Sequence, residues 1–515
     1  MASRIGTLIP AILAVGLALV VLAPLLVVAG RATGFALGPA DWAALRFTLL
    51  QALASAVVSV GLAVPVARAL ARQTFPGRGA LITLMGAPFL LPTIVAVLGV
   101  VAVFGRSGLV NDVLRLLGLG SVSIYGAHGV VLAHVFLNLP LAVRMVLQGW
   151  HAIPSERFRL AESLGLAPRD LWRHLEVPML RAVLPGAFVV IFVICLTSFA
   201  VALTLGGGPR ATTVELAIYQ AMRFDFDLGR AALLAGVQFG LCAVVALLGW
   251  LLVRPAPFGA GLQRAPVLRQ VGGWRRAADA MVIGLAAAFL LVPLGAVILR
   301  GLPGLAEMPD AVWAAAGRSV AVALVSTAVT VVAALVLALG VAHGGRGAGA
   351  MDAAAALPLA TSGLVLGVGL FLLVQPVVPP ATLALPVTVM VNAVLSLPFV
   401  YRLLLPEARV LRADYGRLSA SLGISGLAWL RLIVVPRLAR PIGFGAGLAA
   451  ALSMGDLGVI ALFASEQGAT LPLVVQRLMG AYRMEAAAGA ALLLVLVSFA
   501  LFWACDAWGR WYASA

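Results

Sequence analysis

The sequence contains a dozen apolar runs that are each long enough to cross a lipid bilayer as a helix. They lie at 8–29, 47–66, 80–104, 128–147, 183–205 and 229–253, and at 280–299, 318–341, 355–375, 382–405, 441–464 and 487–506. A transmembrane helix needs about 20 mainly apolar residues. Hydrophobic residues make up 63% of the chain and charged residues only 10%, whereas roughly a quarter of a typical soluble domain is charged. Since a soluble core cannot enclose this much apolar surface, the sequence predicts an all-α integral membrane protein with about 12 transmembrane helices.

All 35 basic residues are arginines, and they are distributed unevenly among the loops. With the N-terminus in the cytoplasm, 24 arginines fall inside and 11 fall outside. Because basic residues are concentrated in cytoplasmic loops, this distribution predicts a multi-pass membrane protein with both termini cytoplasmic. Membrane topology therefore explains the net charge of +16, and nucleic acid is not an expected partner.

Two long inside loops, 148–182 and 406–440, contain the same pattern. One copy reads RLAESLGLAPRDLWRHLEVP from Arg159 to Pro178, and the other reads RLSASLGISGLAWLRLIVVP from Arg417 to Pro436. Corresponding residues are 258 positions apart without a gap, which indicates a duplication. Because each copy contains an even number of spans, the copies share one orientation and are predicted to be parallel six-helix repeats.

The duplication predicts two membrane domains in one chain. We expect the first domain over 1–253 and the second over 280–515. The segment between them, 254–279, is rich in Pro, Gly and Arg and is predicted to be a cytoplasmic linker.

Each repeated loop predicts two short helices joined at a glycine. Gly165 and Gly423 follow a helical stretch, where glycine provides the left-handed turn that ends a helix. Pro178 and Pro436 are then expected to end the second short helix ahead of the next span. Apolar side chains are expected to be exposed on this unit: Leu171, Trp172, Leu427 and Trp429. They suit the groove of a partner protein, and a helix lying on lipid headgroups fits the pattern equally well.

The two loops resemble the EAA loop of ABC importer permeases, EAA-x3-G-x9-I-x-L-P. The matching positions are Arg159, Leu160, Ala161, Gly165, Leu175, Val177 and Pro178, and Arg417, Leu418, Ser419, Gly423, Ile433, Val435 and Pro436. Both copies have Arg where the motif has its leading Glu. The resemblance implies a type I ABC importer-like fold in which each loop is a coupling helix that docks on a separate ATPase. Two loops imply two ATPase subunits, which would bind the ATP, so we expect no cofactor in this chain.

Segments in both halves are similar to the permeases of thiamine importers. They are Thr204–Pro209 (TLGGGP), Ala211–Ala232, Ser453–Phe463 and Ala469–Met484. This similarity implies thiamine or its phosphate esters as the substrate, which a periplasmic binding protein delivers. Fused iron(III) permeases share the architecture but differ in the TLGGGP-ATT segment, and they are the alternative within the same family.

Asp456 lies deep inside an apolar run, where a carboxylate costs roughly 3 kcal/mol to insert. It is therefore expected to face a cavity or a partner. It would either line the path of a cationic substrate, or serve as a helix N-cap or as a carboxylate hydrogen-bonded to a half-broken helix near Gly455 and Gly458. Its counterpart at the 258-residue offset is Ser198. Further candidates for the substrate path are Thr204, Gly206 and Tyr219.

The remaining polar and aromatic residues favour structural roles. Glu215, Asp225 and Asp227 predict an acidic outside loop that either meets the binding protein or is solvated. Tyr219, Phe224 and Phe226 are expected to pack rather than to form a cation-π cage. Polar residues inside spans usually form hydrogen bonds between helices, and this is expected of His134, Asn138, Gln238 and Asn392.

An ion-coupled secondary transporter is the competing class, because it also uses parallel six-helix repeats. It would need no docking loops and would carry charged coupling residues in several spans. A membrane-embedded enzyme has no supporting pattern, since the sequence contains neither a GxxxxGK[ST] loop nor an HExxH motif. The sequence thus predicts a transport subunit that catalyses no covalent chemistry.

Overall fold

A computed structural model describes most of the chain as helices joined by short turns. The described residues are 2–31, 36–86, 90–206, 208, 211–252, 273–465 and 468–514, and they contain no strand. Eleven helices in them are long and apolar enough to cross a membrane, or twelve if one bent pair is counted as a single span. The prediction of an all-α integral membrane protein is confirmed.

The described part of the first half contains twelve helices. They are α1 (Ala2–Arg31), α2 (Pro39–Arg72), α3 (Arg78–Leu84), α4 (Thr93–Phe104), α5 (Leu109–Leu116), α6 (Ala127–His151), α7 (Ser155–Ser163), α8 (Pro168–Leu171), α9 (Val177–Leu196), α10 (Phe199–Leu205), α11 (Val214–Arg223) and α12 (Leu228–Leu252). One turn of π-helix, Trp172–Glu176, joins α8 to α9.

The second half repeats this order without a counterpart of α5, and a single long helix, Ala384–Ser421, replaces α6 and α7. Its helices are α13 (Trp274–Gly304), α14 (Asp310–His343), α15 (Ala348–Ala356), α16 (Gly363–Val374), α17 (Ala384–Ser421), α18 (Gly426–Trp429), α19 (Val435–Met454), α20 (Gly458–Phe463), α21 (Leu471–Gly480) and α22 (Met484–Ser514). A π-helical turn at Leu430–Val434 joins α18 to α19. Most of the predicted linker, 254–272, lies outside the described residues, and the helix that follows it begins at Trp274.

The repeat extends over whole halves, with two different offsets. From the fourth span onward, corresponding helices start close to 258 residues apart, as α6 and α17 do. For the first three spans the offset is 270 to 272, as between α2 and α14, which start 271 residues apart. The change occurs between the third and fourth spans, where the first half has the 22 residues 105–126 and the second half has only the nine residues 375–383. The extra residues include α5, so an added loop hid the duplication of the N-terminal spans from the sequence pattern.

The third and fifth spans of both halves are broken, where the sequence predicted continuous helices. In the second half, Ala348–Ala360 and Gly363–Val374 are bent by 96° relative to one another. The fifth spans stop at Leu196 and Met454, and a short helix follows each stop. Apolar composition alone cannot show such breaks, because the segments on both sides are apolar.

The first span of each half packs against the other half. A Cβ atom built on Gly369 would lie 2.5 Å from the carbonyl oxygen of Pro24, and one built on Gly99 would lie 2.9 Å from that of Pro293. The two contacts are pseudo-symmetric, since each joins a glycine of a third span to a proline of the opposite first span. Small residues let transmembrane backbones approach closely. These glycines therefore fix where the first span of each half crosses the third span of the other half.

Candidate functional site

The repeated loop ends a helix in the same way in both halves. Gly165 has φ +63° and Gly423 has φ +64°. In the first copy the Gly165 N–H donates to the Glu162 carbonyl at 3.0 Å, and the Leu166 N–H donates to the Ala161 carbonyl at 3.0 Å. This hydrogen-bond pair is a Schellman motif, in which glycine avoids the steric cost of left-handed backbone. The second copy has the same pair at Gly423 and at the residue after it, with distances of 3.3 and 2.9 Å.

Pro178 and Pro436 do not end the second helix, so that prediction is wrong. The chain is helical from Pro168 through Leu196, and Pro178 lies in the first turn of α9. The π-helical turn immediately before it explains the continuity. There the Val177 N–H donates to the Trp172 carbonyl five residues back, so the wider turn accommodates a proline ring that would clash with a regular helix. Pro436 follows the other π-helical turn in the same way.

The exposed apolar residues of the loop only partly match the predicted set. Leu427 is 79% exposed, whereas Leu171, Trp172 and Trp429 are half-buried. Four exposed leucines lie instead on the helix that precedes each glycine, at the same positions in both copies: Leu160, Leu164, Leu418 and Leu422. Leucines four residues apart share one helix face, and this spacing was present in the sequence.

The other motif positions divide between the surface and the interior. Arg159 and Arg417 are exposed, whereas Ala161 and Ser419 are buried at 4% and 6% exposure. The Ser419 hydroxyl donates to the Gly416 carbonyl at 3.0 Å. The motif therefore presents an arginine and two leucines to the outside and packs its small residue inward.

The first loop is tied to the membrane bundle by an ion-pair cluster that has no equivalent in the described part of the second loop. Glu176, 6% exposed, forms an ion pair with Arg68 at 2.8 Å and accepts from Arg72 at 3.3 Å. The Arg68 guanidinium also lies 4.2 Å from the centre of the Trp172 ring, which explains why this tryptophan is half-buried. Val434, which is fully buried, replaces Glu176 in the second copy, so the two loops are anchored by different chemistry.

The breaks in the two fifth spans bring Ser198 and Asp456 to equivalent places in the bundle. Asp456 follows α19, and its carboxylate faces the backbone N–H groups of Gly458, Val459 and Ile460 at the start of α20. Its Oδ2 atom is enclosed and has no hydrogen-bond partner in the described part of the chain. Ser198 precedes α10, and both residues are partly exposed, with a buried residue directly after each. The N-cap of α20 is Leu457 rather than Asp456. The structure therefore favours a carboxylate held at a half-broken helix and leaves one oxygen for another group.

The other residues predicted to line the substrate path follow the break in the fifth span of the first half. Thr204 donates its hydroxyl to the Ala200 carbonyl at 2.8 Å, within its own helix. Gly206 closes a tight turn, since a Cβ there would lie 2.8 Å from the Ala211 carbonyl oxygen. The Tyr219 ring packs against the Phe199 ring with centroids 5.2 Å apart, as predicted. Phe224 only meets the edge of the Tyr219 ring and is 66% exposed, and Phe226 is 79% exposed, so the prediction that Phe226 packs is wrong.

Buried hydrogen bonds below each break connect the second, fourth and fifth spans. In the first half, Ser55 Oγ lies 3.3 Å from His134 Nδ1. In the second half, Asn392 Nδ2 and Ser326 Oγ donate to Ser453 Oγ at 3.0 and 2.9 Å. His134 and Asn392 are repeat equivalents, and so are the two serines of the second spans. These polar residues therefore hold helices together, as predicted.

Sequence reasoning misplaced Glu215. The sequence predicts it in an acidic outside loop that either meets the binding protein or is solvated, but it is 1% exposed, in the first turn of α11. Gln238 Nε2 lies 3.4 Å from Glu215 Oε1 and donates to the Leu196 carbonyl at 2.9 Å. The signal in the sequence was the apolar spacing of α11, whose buried face includes Val214, Ile218 and Met222.

Comparison with curated proteins identifies the family. The chain is 40% identical to the thiamine transport system permease protein ThiP of Brucella abortus (strain 2308) over 477 residues, which cover 90% of this chain and 87% of that protein. It is 38% identical to ThiP of Escherichia coli (strain K12) over 479 residues, covering 90% and 88%. The chain belongs to the ThiP family of thiamine transport permeases. No protein-family model matches it.

A more distant relative is a single-unit permease. The molybdenum transport system permease protein ModB of Azotobacter vinelandii is 30% identical over 211 residues, which cover 92% of that protein but 40% of this chain. This match and the helical architecture fit a type I ABC importer fold. Membership of the ThiP family makes the chain a multi-pass inner-membrane permease subunit of an ABC importer, a class that works with an ATPase and a binding protein.

Proposed function

We propose that the chain forms the complete membrane pore of a thiamine importer and is driven by two copies of a separate ATPase. The observation that carries this proposal is the pair of Schellman turns at Gly165 and Gly423, each with two exposed leucines beside it. Two equivalent docking units suit two equivalent partners. The domains would be 1–253 and 280–515, joined by the linker 254–279, and the chain itself would bind no cofactor.

The direction of transport follows from the proposed orientation. The excess of inside arginines, 24 against 11, favours cytoplasmic termini, so both docking units would face the cytoplasm and the ATP-binding partner. A periplasmic binding protein would deliver substrate to the opposite mouth. Closure of the ATPase dimer on ATP would draw the two docking units together and rock one half against the other around a central path.

Thiamine is the proposed substrate because the relatives are named for its transport and because the centre of the bundle contains acidic groups. Asp456 carries an enclosed carboxylate oxygen with no hydrogen-bond partner in the described residues. Thiamine carries a fixed positive charge, and such a charge is attracted by a carboxylate in a poorly solvated site. The phosphate esters carry added negative charge and suit this site less well.

The test is uptake of radiolabelled thiamine into vesicles that contain the chain, its ATPase and its binding protein. Uptake should require ATP, should be unaffected by collapse of the proton gradient, and should be competed by unlabelled thiamine more strongly than by iron(III) or the phosphate esters. Uptake that proceeds without the ATPase and follows the proton gradient would establish a secondary transporter instead. Stronger competition by iron(III) than by unlabelled thiamine would show that the chain is the permease of an iron(III) importer instead.

A further inference from the structure

A pocket lined by charged side chains opens at the base of the second repeated loop, 406–440. Its volume is about 480 Å³, and four of the residues that line it carry charges: Glu407, Asp506, Arg440 and Arg510. Cavities of roughly 300–1,000 Å³ are typical of sites that bind small molecules. The pocket therefore has room for a ligand that carries charged groups.

The charged side chains of the pocket lie where the spans leave the bilayer. Glu407 and Arg440 are at the two ends of the loop 406–440, each next to a predicted span, and Asp506 is the last residue of another predicted span. On the same helix as Asp506, the Trp508 side chain is 42% exposed, and tryptophan is enriched at the boundary between membrane and water. The pocket thus opens at the membrane interface, on the cytoplasmic side in the proposed orientation.

The deeper wall of the pocket is apolar. Leu403, Pro441 and Phe444 line it, and all three belong to predicted spans. Phe444 is 42% exposed, and its ring meets the Phe502 ring edge-on with centroids 5.6 Å apart. Charged groups at the interface with apolar groups beside them at the depth of the hydrocarbon match the two parts of a phospholipid, its headgroup and its acyl chains. A small polar solute would leave the apolar wall unused.

Two glycines fix the wall between α19 and α22. A Cβ atom built on Gly443 would lie 2.6 Å from the carbonyl oxygen of Cys505, and one built on Gly509 would lie 2.6 Å from that of Ala439. Each glycine is adjacent in sequence to a residue that lines the pocket. Because backbones in such close contact cannot shift easily, the lining groups of these two helices are held in place before a ligand binds, which lowers the entropic cost of binding.

Two opposite charges in the pocket have no partner in the described part of the protein. Asp506 forms an ion pair with Arg510, one helical turn further along α22. Glu407 and Arg440 line the same pocket, but neither forms an ion pair with the other or with any other described side chain. A ligand with one anionic and one cationic group would make a charge-assisted hydrogen bond with each of them.

The corresponding corner of the first half is closed. At the 258-residue offset, Glu407 corresponds to Gly149 and Arg440 corresponds to Ala182. Gly149 is packed tightly, since a Cβ atom there would lie 2.7 Å from Met179 Sδ. The first loop is held instead by the ion-pair cluster of its π-helical turn. The two loops therefore differ in the groups that are available to hold them to the bundle.

We propose that this pocket binds a zwitterionic phospholipid with a primary ammonium group, of the phosphatidylethanolamine type. Arg440 pairs with the phosphate, Glu407 accepts hydrogen bonds from the ammonium group, and the start of an acyl chain lies against Phe444. The four lining charges sum to zero, which favours a neutral zwitterion over an anionic lipid. The bound lipid joins both ends of the second loop to α22 and anchors this loop as the ion-pair cluster anchors the first.

The experiment measures which phospholipids stay bound to the purified full-length chain. Equal amounts of phosphatidylethanolamine and phosphatidylcholine are added in detergent, and bound lipid is counted by native mass spectrometry. Both lipids carry the phosphate, but the quaternary ammonium of phosphatidylcholine has no N–H to donate. Since an ion pair at a partly exposed site changes affinity only a few-fold, we expect wild type to retain about threefold more phosphatidylethanolamine than phosphatidylcholine.

The variants separate the two halves of the headgroup. Glu407→Gln should lose the preference for phosphatidylethanolamine, whereas Arg440→Gln should lower the retention of both lipids. Asp414→Asn and Arg409→Gln are the matched controls, because both residues are exposed on α17 and do not line the pocket. They should retain lipid as wild type does. A loss in the controls equal to that in the pocket variants would overturn the assignment of the site.

The wild-type chain alone also tests the inference, so the result does not depend on the folding of any variant. Equal retention of phosphatidylethanolamine and phosphatidylcholine would overturn it. Stronger retention of phosphatidylglycerol than of phosphatidylethanolamine would show an anionic-lipid site instead. Displacement of the lipid by soluble phosphoethanolamine would show that the pocket takes a free solute rather than a membrane lipid.

Hydrogen–deuterium exchange tests the anchoring role separately. In lipid nanodiscs, backbone amides of the loop 406–440 should exchange several-fold more slowly with phosphatidylethanolamine than with phosphatidylcholine, and the loop 148–182 should exchange equally in both. Glu407→Gln should remove the difference. An unchanged second loop, or equal protection of the two loops, would refute the anchoring by lipid.

Discussion

Replacement of Gly165 and Gly423 by alanine tests whether the docking turns depend on their left-handed backbone. A Cβ atom at either position would meet nothing within 4 Å, so alanine introduces no clash. The cost of alanine therefore comes from the positive φ values of 63° and 64° alone. Left-handed backbone costs a non-glycine residue roughly 1–2 kcal/mol. Since 1.4 kcal/mol corresponds to a factor of ten, each replacement should weaken ATPase binding by about tenfold.

The two turns lie in different halves and share no partner. Energies of separate sites add within a few tenths of a kcal/mol, so the double replacement should lower ATPase affinity by about 100-fold. The assay is copurification of the ATPase with the detergent-solubilised permease over a range of ATPase concentrations, together with ATP-driven thiamine uptake.

Matched variants separate backbone strain from other effects. Asparagine tolerates the left-handed conformation better than alanine, so Gly165→Asn should retain more ATPase binding than Gly165→Ala. Gly236→Ala is the control, because it lies within α12 and also has nothing within 4 Å of its Cβ position. Equal binding by the alanine and asparagine variants, or an equal loss in Gly236→Ala, would refute the reasoning.

Three further predictions concern the anchor, the crossing of the halves and the path. Glu176→Gln should uncouple transport from ATP hydrolysis, because the first loop loses its two arginine contacts. ATPase activity should be kept while thiamine uptake falls several-fold. Tight coupling in this variant would contradict the anchoring role. Gly369→Val should lower the melting temperature by several degrees in a thermal-shift assay, because its side chain would overlap Pro24, whereas Gly349→Val, with open space around it, should change it less. Asp456→Asn should reduce thiamine uptake while ATPase copurification stays normal, and undiminished uptake would remove Asp456 from the path.

The sequence by itself determined that the chain lies in a lipid bilayer, that it has about a dozen spans and that its two halves arose by duplication. Apolar runs of bilayer length leave few alternatives to transmembrane helices, and the fixed 258-residue offset predicted two equivalent loops. The left-handed glycines were predictable too, because a glycine after a short helical stretch has one common role. These properties depend on local chemistry and on the order of residues, and both can be taken from the amino-acid sequence alone.

Only the tertiary structure decided which residues meet at the centre. The breaks in the third and fifth spans, the exchange of first spans between halves and the burial of Glu215 all depend on contacts between segments hundreds of residues apart. An apolar run has the same composition whether it is straight or bent by 96°. From the sequence, an acidic residue in a short helix is expected to be solvated. Glu215 is buried because the second half of the chain covers it. Packing, rather than local preference, therefore decided the surroundings of Glu215 and of Asp456.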